Sequence, residues 1–572
     1  MKTSAIASVL AAFLPLAGPA MKAQDRADSI AAVIGASCPE ELEESEVERM
    51  TALMDRKVKI NTASRRALVS SGLFSPYQAA SIVDWRSRNG DILSFSELSS
   101  LDGFDKAAAE SLKPFVSLES FSLPGASSLE RGRLRQNVLS KGGWKDGSWS
   151  WGLKYRLYKG EMVEAGIAAR SNFSDRCFPP GATSFSIAVR PRSRLATVIV
   201  GDWNARFGQG LAMWSGFSLS GFSSSGSFCR KPSGITPAVT FSPAGALRGL
   251  AAEVEAGRFL FSGGVHFPGL KPWADDGKAL DWTVVAVFNA SWLSRSGQAG
   301  VTYLSGRSVS ADFHFCPGGV DVFGEGAYAP GSRSLTALAG VSVPVPGGFR
   351  ISALVRGYPA GYGNIYAGAA RAGTKVSDEY GAALGLSRGT ADLTLDARCS
   401  ARGDKSQLKA LLKVPLLERG GWKLGLRIGE RFRDYGLRNR TDLRADLIYG
   451  KGPFLASFRG NVLFCKGTGG LAYLESGYKG DRLACYLRGT VFRIDNWDDR
   501  IYVYERDAPG NFSVPAYYGR GACLSLYCGL KSDPTEAGLR WKLYLRGWST
   551  LYSKRTAKPG NAGLKLQMVI DL

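Results

Sequence analysis

Two histidines are all that this chain of 572 residues offers for imidazole chemistry, and one of them, His314, follows Ser310 and Asp312 at alternate positions. Serine, aspartate and histidine are the types that serve as nucleophile, orienting carboxylate and general base. In a strand, however, alternate side chains stand about 7 Å apart and roughly parallel, at a rise of ~3.3–3.4 Å per residue. They do not converge on one reacting atom without groups from other strands. The trio therefore reads as a polar face, and no enzyme is expected. His266 has no partner near it in sequence. The nine cysteines (Cys38, Cys177, Cys229, Cys316, Cys399, Cys465, Cys485, Cys523 and Cys528) contain no Cys-x-x-Cys pair. That argues against a zinc site or a disulfide framework. A single disulfide in an oxidising compartment stays open, with no pair assigned. Cys485 alternates with Leu483 and Leu487, as a small lipid-facing residue would. Gly208-x-Gly210 lacks the third glycine, the helix and the later acid of a dinucleotide site. A glycine-rich bend or an inward-folded loop is expected there instead. No cofactor or metal is expected.

The elements that would carry such residues are mostly strands. The last ten residues place Leu564, Leu566, Met568, Ile570 and Leu572 on one face, and Lys565, Gln567 and Asp571 on the other, with Val569 the only apolar intruder. Trp149, Trp151, Leu153, Tyr155 and Leu157 alternate with polar residues in the same way, and so do Trp422 to Ile428 and Leu539 to Leu545. Period two is the strand signature. A soluble all-β domain would also alternate. Segments of about ten residues with aromatic ends fit strands that cross a membrane tilted. Residues 133–572 then divide into about 18–24 strands, an even number by the usual rule for such barrels.

Composition agrees. The 70 glycines, about 12% against a typical ~7%, suit strands and tight turns. Residues 1–23 read as a signal peptide: Lys2, an apolar core from Ile6 to Leu16, and small residues at Gly18 and Ala20. The net charge is +22. Basic residues cluster on polar strand faces: Lys154 and Arg156; Lys423, Arg427 and Arg431; Arg540, Lys542 and Arg546. They fit an anion-attracting channel. They also fit a lumen of paired charges, with loops facing anionic lipopolysaccharide.

Residues 24–118 read as a separate helical unit, joined to the barrel by a linker at 119–132. Its acidic stretch from Glu40 to Glu48 suits a solvated helix start. Beyond it come INTAS at 60–64, a turn at Gly72-Leu73-Phe74-Ser75-Pro76, and a helix over 77–88. A second tight turn follows at Leu101-Asp102-Gly103-Phe104, with a last helix over 106–112. These segments resemble the tandem helix-hairpin-helix module of competence DNA-binding proteins of the ComEA type. The resemblance implies backbone N–H groups that meet phosphates without reading sequence. Carried over by position, the candidates are Gly72, Leu73 and Ser75, then Gly103, Phe104 and Lys106, with Arg65, Arg66, Arg86 and Arg88 as nearby cations. Asp105 departs from the pattern where a phosphate would approach. Residues 51–118 hold nine Lys/Arg against seven Asp/Glu, little charge for phosphate neutralisation. A plug or protein-docking role is therefore expected as readily as DNA contact. Helical hairpins followed by GDWNARFGQGLAMW at 201–214 resemble a group of outer-membrane proteins of Bacteroidetes-type bacteria.

The sequence thus predicts an α+β multidomain chain. A small all-α helix-hairpin-helix domain precedes a large antiparallel transmembrane β-barrel in a Gram-negative outer membrane. The helices are expected at the periplasmic mouth. Expected partners are outer-membrane lipid and lipopolysaccharide, the barrel-insertion machinery, and DNA or a periplasmic protein.

Overall fold

The structure, a computed structural model, describes residues 26–120, 134–160, 162–173, 178–191, 195–243, 245–269, 283–436, 439–535, 538–553 and 559–572. The expected signal peptide, most of the linker and Cys177 lie outside them.

Six α-helices build the N-terminal unit: α1 (Arg26–Ile34), α2 (Glu44–Asp55), α3 (Arg65–Ser70), α4 (Pro76–Asn89), α5 (Phe95–Leu98) and α6 (Lys106–Leu112). Side chains that satisfy the first free N–H groups start the hairpin helices. Ser64, Ser75, Ser94 and Asp105 are N-caps, and Ser75 forms a full capping box with Gln78. The apolar faces close over Ile30, Met50, Ile60, Leu68, Phe74, Ile82, Ile92 and Phe115. A short parallel pairing of Val58–Lys59 with Val116–Ser117 fastens the start of the hairpins to their end.

The rest is a closed antiparallel barrel of 24 strands. Each strand pairs with its sequence neighbour, and Asn561–Asp571 pairs with Leu134–Lys145 to shut the seam. Closure leaves no unpaired edge, the condition for a sheet to span lipid. The outward faces are apolar: Leu564, Leu566 and Met568 are exposed, as are Leu487, Val491, Leu524 and Leu526 on earlier strands. Val569 points inward, where it packs with Ala508 and Tyr544.

The two mouths differ. At the mouth that holds the barrel's own first and last residues, strands are joined by short turns such as 257–258, 389–390 and 452–453. At the other mouth, the connections at 207–246, 359–378 and 495–518 are long and fold inward. GDWNARFGQGLAMW runs from a wall strand (Leu195–Arg206) into the first of these loops. The inward bend is held by Glu325, whose carboxylate accepts the N–H groups of Gln209 (2.7 Å), Leu211 (3.0 Å) and Ala212 (3.2 Å).

Candidate functional site in the barrel lumen

The acidic stretch is not a solvated helix start. Glu46 and Glu48 are only 4% and 7% exposed, because α2 and the 3-10 turn before it (Pro39–Glu41) lie inside the barrel against basic wall residues. Glu40 bonds Arg459 at 2.6 Å and Arg444 at 3.2 Å, and also accepts the Tyr504 N–H from an inward loop. Glu41 pairs with Arg427 at 3.2 Å. Glu44 pairs with Arg170 at 2.8 Å and Lys141 at 3.4 Å. Glu46 is held by Arg206 at 3.2 Å and by Arg49 of its own helix. Glu48 pairs with Lys154 and accepts the Thr240 hydroxyl at 2.6 Å. The seven wall cations stand on seven different strands.

Burial alone pushes these carboxyls up, since a charge loses solvation in the lumen. The paired cations outweigh it. Glu40 is held well below the ordinary carboxylate range by Arg444 and Arg459. Glu46 is lowered to about 2 by Arg49 and Arg206, and Glu44 is lowered by Lys141 and Arg170. Glu40, Glu44 and Glu46 are therefore anions at neutral pH, and their attraction to the wall is electrostatic.

The basic strand residues expected from the sequence are mostly engaged. Lys154 meets Glu48, Arg427 meets Glu41, and Arg156 donates to the Val239 carbonyl at 2.7 Å. Lys423 pairs with Glu418 (2.6 Å) and Lys542 with Asp571 (2.9 Å). Arg546 holds Glu505 and Asp507 of the inward loop at 495–518. Arg431 is half-buried, and Arg540 is exposed. Of the two expectations for the +22 charge, a lumen of paired charges describes these residues. Sequence reasoning missed Lys141, Arg170, Arg206, Arg444 and Arg459. For Arg444 and Arg459 the polar alternation of their strands was the signal that could have found them; the strands of Arg170 and Arg206 carry no such signal.

The hairpin candidates divide. Leu73 and Ser75 are buried, and the Leu73 carbonyl accepts Lys231 of an inward loop at 3.2 Å. Gly72 (φ +68°) packs beside Arg49. Arg65 donates to the Gly297 carbonyl at 3.2 Å, and Arg66 pairs with Glu253 of the wall. Arg86 donates to the Ile60 and Ala63 carbonyls, and Arg88 pairs with Asp84 on its own helix. In the second hairpin, Phe104 is buried, Lys106 is exposed and Gly103 (φ +82°) turns against Tyr77. Asp105, the departure from the family pattern, accepts the Ala108 N–H at 2.7 Å as a helix cap. A cavity of about 1850 Å³ opens between this second hairpin and the wall, lined by Lys106, Arg350 and Lys413 among others.

Ser310, Asp312 and His314 all point inward, as the alternation requires. His314 Nε2 lies 2.6 Å from Asp321 on the next strand rather than turning to Asp312. Its Nδ1 faces Cys229 Sγ at 4.0 Å. Cys229, His314 and Asp321 are, among the described residues, the group whose donor atoms come within metal-binding reach of one another. Both ring nitrogens are already engaged there by protein groups.

A family model described as a helix-hairpin-helix motif matches residues 54–117. No curated protein matches the chain. Solved structures with a similar fold include the outer-membrane protein OpdK of Pseudomonas aeruginosa (11% identity, TM-score 0.27, covering 77% of this chain and 99% of that one). They also include OprD of the same organism (9%, 0.27, 77% and 93%) and the translocation pore of the P pilus usher PapC (11%, 0.37, 77% and 99%). What stands on this chain's own geometry is a membrane-spanning 24-strand barrel with a helix-hairpin-helix module lodged in its lumen.

Proposed function

We propose that this protein is an outer-membrane channel or transport component kept shut by its own helix-hairpin-helix module. One observation carries the reading: glutamates 40, 41, 44, 46 and 48 each meet at least one cation of the barrel wall, on seven strands in all. A module that only hung beneath the mouth would have no use for an anionic edge matched to the lumen. The module lies toward the mouth with the short turns, where Arg56 reaches the Gly160 carbonyl and Asp84 faces Arg295. We place that mouth in the periplasm, because such barrels keep short turns there and long loops outside. Passage then requires the module to tilt or leave.

The nucleic-acid reading implied by the ComEA-type resemblance has less support. Arg65, Arg66 and Arg86 are committed to carbonyls and a carboxylate, and Asp105 caps the hairpin helix where a phosphate would sit. In our reading the hairpin scaffold is reused as a stopper. Planar-bilayer recording of the full chain tests this. The wild type is expected to stay largely closed, and Glu40→Gln combined with Glu46→Gln and Glu48→Gln to open long-lived conducting states. A wild-type chain that conducts steadily, with the triple variant unchanged, would sink the plug. Salt-dependent binding of the full chain to duplex DNA, lost on Gly103→Asp, would favour the other reading.

A further inference from the structure

Cys485 and Cys528 sit directly opposite each other on neighbouring antiparallel strands, Leu483–Ile494 and Gly519–Lys531. Their Sγ atoms are 2.7 Å apart, inside the contact distance of two separate thiols. Among the described strand pairings, this is the one that sets cysteine against cysteine. Both side chains take the outward face: Tyr486 and Tyr527 beside them belong to the inward alternation, while Leu483, Leu487, Leu526 and Leu530 are exposed. The pair lies near the mouth with the short turns, just beyond the turn at 480–482. Tyr478 is across the sheet from Cys485, and Phe454 is across from Tyr478, an aromatic cluster of the kind that marks a membrane interface. The sulfurs are thus at the level where lipid meets water, within reach of a soluble redox partner.

We propose that Cys485 and Cys528 form a disulfide in the cell envelope. The step is thiol–disulfide exchange with a protein disulfide of that compartment. One thiolate attacks the oxidant's sulfur and gives a mixed disulfide. The second thiolate attacks the bound sulfur and closes the Cys485–Cys528 bond. The oxidant leaves as a dithiol, carrying two electrons and two protons. The bond joins the two strands that flank the inward loop at 495–518, whose Tyr504 N–H meets Glu40 and whose Glu505 and Asp507 meet Arg546. It is a cross-strand staple at the far end of the two strands that carry the loop gripping the module.

The full-length protein is alkylated with iodoacetamide in intact cells, purified without reductant and digested with trypsin. The expected product joins peptide 483–488 to peptide 521–531, two hydrogens lighter than the separate thiol peptides. Fragmentation is expected to place the link at Cys528 and not at Cys523, and a reductant to abolish it. Cys485→Ser is expected to leave Cys528 fully alkylated while the unheated barrel keeps its compact gel mobility. Recovery of both peptides as alkylated thiols before reduction overturns the proposal. So does a link to Cys523, or a link that forms only when alkylation is delayed until after lysis.

Discussion

Replacing Glu40 by glutamine removes one negative charge and almost no volume, so it isolates the electrostatic grip on the module. In the wild type this carboxylate lies between Arg459 (2.6 Å) and Arg444 (3.2 Å). Removing one partner of a buried ion pair costs ~3–5 kcal/mol, because the other charge stays desolvated. Here the two arginines keep Asp446, at 2.6 and 2.5 Å, so the low end applies. About 3 kcal/mol corresponds to roughly a 150-fold shift in the docked-to-undocked ratio of the acidic segment. Hydrogen exchange on the full chain in detergent reads this directly. Amides of α1 and α2 should exchange about two orders of magnitude faster in Glu40→Gln, while barrel strands far from the lumen network keep wild-type protection. Bilayer open probability should rise in parallel. Equal exchange in α1 and α2, or a loss of protection spread evenly over the barrel, would refute the claim that these pairs hold the module.

Acidification should release the module from a known direction. Folded-state values below the ordinary carboxylate range mean that the docking stability of Glu40, Glu44 and Glu46 is present above pH ~4.5 and is lost as pH falls through those lowered values, about 2 for Glu46; open probability against pH checks this, and a rise on going alkaline would contradict it. Gly103→Ala should loosen the second hairpin by more than the ~1–2 kcal/mol cost of a left-handed residue, because its Cβ would fall 2.7 Å from the Tyr77 ring. Gly90→Ala has open space around it but sits at φ +83°, ψ −156°, a region kept for glycine, so it should show a backbone cost alone of ~1–3 kcal/mol; urea titrations monitored by α4 and α6 exchange compare the two. Leu487→Arg places a charge on the lipid face and should lower barrel stability by up to ~2–4 kcal/mol in refolding titrations, according to its depth in the bilayer.

Much of the architecture was legible because it is periodic. Outward-facing leucines at every second position belong to one strand each, so the closing strand from Leu564 to Leu572 could be read alone. The helix bounds were legible for a local reason too: the tight turns at 72–76 and 101–104 precede the helices Pro76–Asn89 and Lys106–Leu112. The lumen was opaque. Glu40 and Arg459 are 419 residues apart, and complementarity between one acidic run and single cations on seven strands leaves no periodic trace. The acidic segment therefore read as a solvated helix start, and the basic faces allowed a conducting pore as well as paired charges. Glu325 was equally silent, since its partners are backbone N–H groups of a loop more than a hundred residues away.

The seam between Leu134–Lys145 and Asn561–Asp571 has a consequence for the stopper. In chain order the helices and the first three strands come long before the closing strand. Those first strands carry Lys141, Lys154 and Arg170, the cations that meet Glu44 and Glu48. The stopper's contacts with these strands are therefore nearer in sequence than those with Arg427, Arg444 and Arg459. The bung thus touches a stave of the seam itself: Lys141, on the strand that the closing strand meets, holds Glu44, so the fit of the stopper and the shutting of the cask share one strand.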